Sequence, residues 1–247
     1  GYELVVHPCD RKSETFLDDA LRFIEVQKLY GVILTPSVSE DENLAEALRS
    51  VGCAYIRIAS IALDMESRMI VTNDRVGGRY LADHLVSLGH ERIAWVEGRR
   101  SFRSSTERIT GFMEALIDHG ISVPEEYQLR GDYTFESGIT IGADLLDLDP
   151  PPTAVFAAND EMAAGILQAL HVAGHTPPEA LSVVGYEDFE TATRVWPRLT
   201  TARTPARKIG RLAAERLFEF HDEGRSVSGE NETWPTLIER DSTRRPK

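Results

Sequence analysis

Short apolar runs alternate with longer amphipathic stretches along nearly all of this sequence, and that alternation constrains its fold more than any other feature. The strand-like runs read YELVVH, YGVILT, CAYIRIA, SRMIVT, RIAWVEG, YQLRG, TAVFAA, LSVVGY, RLTTAR and WPTLIER. Between most of them lie helix-like segments at 13–29, 41–50, 76–89, 104–119, 136–147, 160–173 and 204–223. In 104–119, Ile109, Phe112, Met113, Leu116 and Ile117 recur at spacings of three and four, the period of one helix face. Buried strands alternating with helices form parallel sheets covered on both sides, with ligands held beyond the carboxyl ends of the strands. The expectation is an α/β fold with parallel sheets flanked by helices. Asp74 and Ser105 stand where N-caps belong, and Gly89, Gly120 and Gly174 where C-caps belong.

Composition narrows the partners. At 247 residues the chain can hold two ordinary domains, and its apolar runs are far too short to cross a bilayer. A surface that grips DNA needs Lys and Arg to displace counterions from phosphates, whereas this chain carries a net charge of −13. It is a poor candidate to touch DNA by itself. Cys9 and Cys53, the only cysteines, read as small hydrophobes in a reducing compartment rather than as a disulfide, which points to the cytoplasm. The polar stretch HDEGRSVSGENET reads as a flexible connection, and DLDPPPT as a rigid turn before a strand.

Spacing disfavours the common enzyme signatures. The sequence has no Gly-x-Gly-x-x-Gly after a strand, no Walker loop and no Gly-x-Ser-x-Gly elbow, so no cofactor is expected. Gly77 and Gly78 read as helix-packing positions rather than a phosphate cradle. The seven histidines are scattered without Cys or acid partners at ligand spacing, which argues against a metal site, and His90 past Gly89 reads as structural. No nucleophile–base pair is visible, and the chain is not expected to be an enzyme.

What remains is a series of polar groups at the ends of successive strand-like runs. They are Thr35, Arg57, Thr72 with Asp74, Phe102 with Ser104, Tyr133, Asn159, Glu187 and Thr204, joined by Arg108. Together they describe one polar cleft suited to a polyhydroxylated ligand, with hydrogen bonds to hydroxyls and an aromatic face for stacking. The Asn159–Asp160 junction, alone, could cap a helix, hold a ligand or take part in catalysis.

At this point the residues resemble a known family. DRVGGRYLADHLVSLGHERIAWVEG, ERITGFMEALIDHGI, PPTAVFAANDEMAAGILQALHVAGHTPPEALSVVGYEDFE, PRLTTARTPARKIGRLAAERL and PTLIERDST are similar, in order, to segments of LacI/GalR-type bacterial transcription regulators. The resemblance implies a periplasmic-binding-protein-like type I core of two Rossmann-like subdomains, crossed three times by the chain, with an effector in the cleft between them. The crossings would fall near 98–103, 203–206 and 225–233. One subdomain would take 1–98 plus 206–228, and the other 99–203 plus 232–247.

Site roles carry over where motifs match. Arg108 in ERITGF and Asn159 in FAANDEMA stand at effector-contacting positions of the family, and Asp160 is then expected to cap the following helix. Tyr133 in GDY stands at a stacking aromatic. Departures matter too: Glu187 in GYED replaces the usual Asp, Phe102 replaces the Arg of purine-binding members, and Thr204 replaces a common Gln. The resemblance further implies a homodimer, a sugar-like effector, and operator DNA read through a helix-turn-helix domain absent from this sequence. GYELVV matches the family's second core strand, so the first strand and its helix are expected upstream. The competing reading is a sugar-binding protein of a transport system, which shares the architecture.

Overall fold

A computed structural model describes residues 2–219 and 230–246. The chain divides into two compact units, Gly1–Val71 with Lys208–Asn231, and Thr72–Arg207 with Glu232–Lys247. Residues 221–229 of the polar stretch expected to be flexible lie outside the described residues.

The first unit holds a three-stranded parallel sheet, β1 (Val32–Leu34), β2 (Tyr55–Ala59) and β3 (Met69–Val71), in that order. Helices α1 (Phe16–Gln27) and α2 (Glu42–Ser50) cover one face through Phe16, Ala20, Leu44, Ala45, Leu48 and Tyr55. Asp41 starts α2 by accepting a hydrogen bond from the Leu44 amide at 3.0 Å. The other face, Ile56, Ile58 and Ile70, packs against Ile209, Ala213 and Leu217 of α8 (Ala206–Glu219). The run YELVVH does not become a strand: Tyr2, Leu4 and Val6 are exposed, and no described strand lies beside them to complete a ladder.

The second unit is built on a six-stranded sheet in the order β5-β4-β6-β7-β8-β9. These are β4 (Ile93–Glu97), β5 (Gln128–Arg130), β6 (Ala154–Ala157), β7 (Ser182–Glu187), β8 (Thr200–Arg203) and β9 (Thr236–Ile238). All pairings are parallel except β8 with β9, where Ala202 faces Leu237 across an antiparallel ladder. Each central strand is apolar on both sides, as a doubly covered sheet demands. Ala94, Val96, Val155, Ala157 and Val183 face α5 (Phe135–Leu146) and α6 (Asp160–Val172). Ile93, Trp95, Ala154, Phe156, Val184 and Tyr186 face α3 (Asp74–Ser87) and α4 (Arg103–Asp118). A short helix, α7 (Glu190–Arg194), links β7 to β8 and had no periodic signal of its own.

The first change of unit comes at 71/72, well before the 98–103 expected from the sequence, and the other two come at 207/208 and 231/232. The early change has a packing cause. A Cβ on Gly78 would lie 2.0 Å from the Arg108 carbonyl oxygen, and one on Gly111 would lie 1.9 Å from that of Arg75. Backbone therefore touches backbone along α3 and α4, which binds α3 to the second unit's core. Gly89, Gly120 and Gly174, with φ of 92°, 76° and 78°, follow α3, α4 and α6 as the sequence predicted.

The N-cap expectations fare differently. Asn73 and Phe102 occupy the N-cap positions of α3 and α4, without a side-chain cap bond. Ser105 instead accepts from the Gly98 amide at 2.8 Å, tying the end of β4 to the first turn of α4. His90 is structural, through ring contacts to Thr153 Oγ1 and the Arg244 carbonyl, both at 2.9 Å. Among the described residues no helix is long and apolar enough to cross a membrane.

Candidate functional site

From β4 the chain winds outward to β5, then returns past β4 to β6 and on to β7. The winding direction reverses between β4 and β6, the switch point at which open parallel sheets leave a crevice beyond their carboxyl ends. Most of the polar residues singled out from the sequence meet at that edge of the second unit.

Arg108 is the centre of the cluster and is 7% exposed. Its Nε donates to Asp74 Oδ1 at 2.8 Å. Its Nη1 donates to the Ala158 carbonyl at 2.7 Å and to Glu187 Oε1 at 3.3 Å. The guanidinium carbon sits 4.0 Å from the Tyr186 ring centroid, a cation–π contact from below. The Tyr186 hydroxyl donates to the Asp74 carbonyl at 3.2 Å, and a Cβ on Gly77 would fall 2.2 Å from that hydroxyl. Burial works against the Arg108 charge, but Asp74 and Glu187 outweigh it and hold its pKa above the ordinary arginine value. Burial also pushes the Glu187 carboxyl up, with Arg108 opposing. Among the described residues its hydrogen bonds run through Nε and Nη1, and the side chain as a whole is 9% exposed. The Glu187 side chain beside it is 25% exposed. A buried guanidinium and a partly exposed carboxylate thus stand next to each other.

Around this pair, Thr72 donates to Asp74 Oδ2 and the Thr204 amide donates to the Glu187 carbonyl. Phe102 and Tyr133 meet edge to face, ring centroids 5.8 Å apart, and both are half-buried. Tyr133 lies against Gly98, where a Cβ would be 2.2 Å from the ring, and its buried hydroxyl meets no hydrogen-bond criterion with a partner among the described residues. Ser104 is half-buried on the first turn of α4. Among the described residues five non-glycine residues have positive φ; Lys28 ends α1, Asn73 follows β3, and Tyr133, Glu187 and Asp188 follow or close strands of the second unit's sheet. Such conformations cost on the order of 1–3 kcal/mol each and persist where surrounding structure enforces them.

The Asn159–Asp160 junction divides its labour opposite to the expectation. Asn159 is the N-cap of α6, accepting from the Met162 amide at 3.0 Å, while its amide group donates to the Tyr133 carbonyl at 3.0 Å. Its side chain is spent on the scaffold because its extended backbone (φ −150°) places it at the cap position. Asp160, one residue later, is already helical and points elsewhere: its carboxylate accepts from Thr201 Oγ1 at 2.7 Å and from the Phe189 amide at 3.1 Å. Two further expectations concern the first unit. Arg57 is 1% exposed and holds the Ser39 carbonyl at 2.6 Å and Glu42 at 2.9 Å, so it is an internal strut rather than a ligand contact. Thr35 is exposed after β1, its hydroxyl 3.0 Å from that of Ser37.

Sequence reasoning left Asp74, Tyr186, Ser105 and Asp160 without their actual roles. The one usable signal was Arg108 itself, since an arginine on a buried helix face requires carboxylates nearby. Among the described residues, no group of three or more His, Cys, Asp or Glu is placed to hold a metal.

Residues 82–243 match the periplasmic binding protein-like domain. The ribose operon repressor of Escherichia coli (strain K12) is 33% identical over 243 residues, covering 98% of this chain and 73% of that protein. This chain belongs to the LacI family of transcriptional regulators. A second member, the probable HTH-type transcriptional repressor ExuR of Bacillus subtilis (strain 168), is 33% identical over 215 residues, covering 87% of this chain. The chain spans 65% of that relative's length. Among solved LacI-family structures, the transcriptional regulator CelR–cellobiose complex superposes with a TM-score of 0.83 at 29% identity, covering 94% of this chain and 71% of that one. The family's relatives here are repressors, not enzymes, and the parallel α/β architecture is theirs.

Proposed function

We propose that this chain is the effector-sensing part of a LacI-type repressor, and that its effector is a small polyhydroxylated molecule bound at the strand ends around Arg108. The observation that carries the reading is the buried Arg108 guanidinium paired with the partly exposed Glu187 carboxylate at the strand ends. A guanidinium donates and a carboxylate accepts, so adjacent hydroxyls of one ligand satisfy both, while Phe102 and Tyr133 offer an apolar face to a sugar ring. Two names among the relatives, the ribose operon repressor and the cellobiose complex of CelR, point to sugars as the class.

In the whole protein, the effector acts by binding one conformer more tightly than another and so shifting affinity for operator DNA. DNA is read by a helix-turn-helix segment of the kind the relatives' names record, since a net charge of −13 suits this chain poorly to that task. The protein works in the cytoplasm as a homodimer. The test is isothermal titration calorimetry of the chain against ribose, cellobiose and further neutral sugars. One of them binds the wild type, and Arg108→Lys or Glu187→Gln weakens it at least tenfold. Equal affinity in all three proteins refutes the assigned site.

A further inference from the structure

Asp160 is 1% exposed, yet it does no capping, which Asn159 already performs. Its carboxylate is instead lodged among three segments. Oδ1 takes the Thr201 hydroxyl from β8, and Oδ2 takes the Phe189 amide from the turn after β7. On β7 itself, Gly185 is the residue that lets the carboxylate so close, for a Cβ there would lie 2.4 Å from Oδ1.

The turn that Asp160 holds is the one that bears Glu187. Glu187 and Asp188 have φ of 113° and 59°, conformations that side-chain-bearing residues rarely adopt unaided. Three anchors enforce them. The Glu187 carbonyl accepts from the Thr204 amide at 3.2 Å. The Asp188 carboxylate pairs with Arg203 at 2.7 Å and with Arg240 at 2.5 Å. The Phe189 amide is fixed by Asp160. Of these, Asp160 alone among side chains acts from the α6 side, and it fixes the residue immediately after the left-handed pair.

We propose that Asp160 is a positioning residue: by holding the Phe189 amide it locks the left-handed Glu187–Asp188 turn and aims the Glu187 carboxylate at Arg108 and the ligand. This rests on the reading of Glu187 as a ligand contact. The charges agree with it. Among the described residues no cation pairs with Asp160; burial pushes its pKa up to about 7, with hydrogen bonds from Thr201, Phe189 and Asp188 opposing and the like charge of Glu187 adding to the rise. A carboxylate kept at such a disadvantage is retained for what it holds.

The test is a double-mutant cycle on the full chain with Asp160→Asn, Glu187→Gln and the pair, titrated with ribose and cellobiose. Asparagine keeps the size but presents an N–H to one of the two donors. Asp160→Asn weakens binding about tenfold or more alone and adds nothing in the Glu187→Gln background. Additive losses, or an affinity within twofold of wild type, overturn the proposal. Thr201→Val, which removes one bond and keeps the fold-defining carboxylate, gives a smaller loss in the same direction. A ligand-free readout separates this proposal from the reading of the site. Amide exchange at Phe189 quickens at least tenfold in Asp160→Asn, and the Arg108 Nε–H resonance moves. If neither sugar binds the wild type, the sugar reading fails while these two signals still decide the role of Asp160. Unchanged exchange and an unmoved Arg108 resonance overturn it.

Discussion

Replacing Gly78 by Ala places a methyl group 2.0 Å from the Arg108 carbonyl oxygen and 2.9 Å from the Phe112 amide nitrogen. Real Cβ atoms essentially never approach closer than 3.0 Å, so α3 and α4 must separate by about 1 Å at their tightest crossing. Overpacking of that kind costs roughly 1–3 kcal/mol. For a chain of this size each kcal/mol lowers Tm by about 2–4 °C, so the expected drop is roughly 2–12 °C. The same shift carries Arg108 away from Asp74, whose 2.8 Å bond it loosens, and ligand affinity falls alongside stability. Gly210→Ala in α8 is the internal control: nothing lies within 4 Å of its added methyl, and removing a helical glycine stabilises by roughly 0.5–1 kcal/mol. Differential scanning calorimetry on both variants and the wild type is the assay. A Gly78→Ala midpoint within 1 °C of wild type, or a fall in both variants alike, refutes the argument that backbone contact along this seam sets the position of Arg108.

Arg108→Met removes the cation paired with buried Asp74 and half-buried Glu187 and costs roughly 3–5 kcal/mol in urea unfolding, while adding Asp74→Asn in the same chain recovers part of the loss. Asp160 has a folded pKa near 7 against an unfolded value near 4, so the folded state holds the extra proton between them. Its contribution is therefore unfavourable above pH 7 and relieved as pH falls towards 4. Asp160→Asn flattens this part of the stability–pH curve, and an unchanged curve contradicts the assignment. Asn159→Ala removes a cap worth about 1 kcal/mol together with the bond to the Tyr133 carbonyl, whereas Asn159→Asp keeps the cap and loses only that bond. Near-ultraviolet circular dichroism of the Phe102–Tyr133 pair changes in both, and thermal stability falls more in the alanine variant.

The sequence revealed the elements with regular periods and the residues that end them. Nine of the strand-like runs carry ladders because each has a neighbour, including the largely exposed edge strands β5 and β9. YELVVH has the same local pattern and no ladder, because strand formation depends on a partner that no periodicity encodes. Gly77 and Gly78 were legible as packing positions, yet not the consequence that α3 joins the second unit's core. At the site, Tyr133 and Glu187 were read at strand ends, where they lie after β5 and in β7, but the cap of α6 was assigned to Asp160 and falls to Asn159. Both are good capping residues, and one residue of register, set by where β6 stops, decides which of them caps. Arg57 was misread for a similar reason: its partners Glu42 and Asp64 come from distant segments that only the fold brings near.

The order in which the chain visits its two units has a consequence for its birth on the ribosome. The face of the first sheet carrying Ile56, Ile58 and Ile70 is complete once Val71 is made, but the helix that covers it begins only at Ala206. At synthesis rates of about 5–20 residues per second, those isoleucines wait on the order of ten seconds for Ile209, Ala213 and Leu217 to emerge. The second sheet likewise waits for β9 to close its edge against β8. The first unit's chain ends at Asn231 and the second's only with the segment from Glu232, so until α8 emerges a nascent chain carries two unfinished apolar surfaces at once, the kind of exposure that favours joining a neighbour on the polysome.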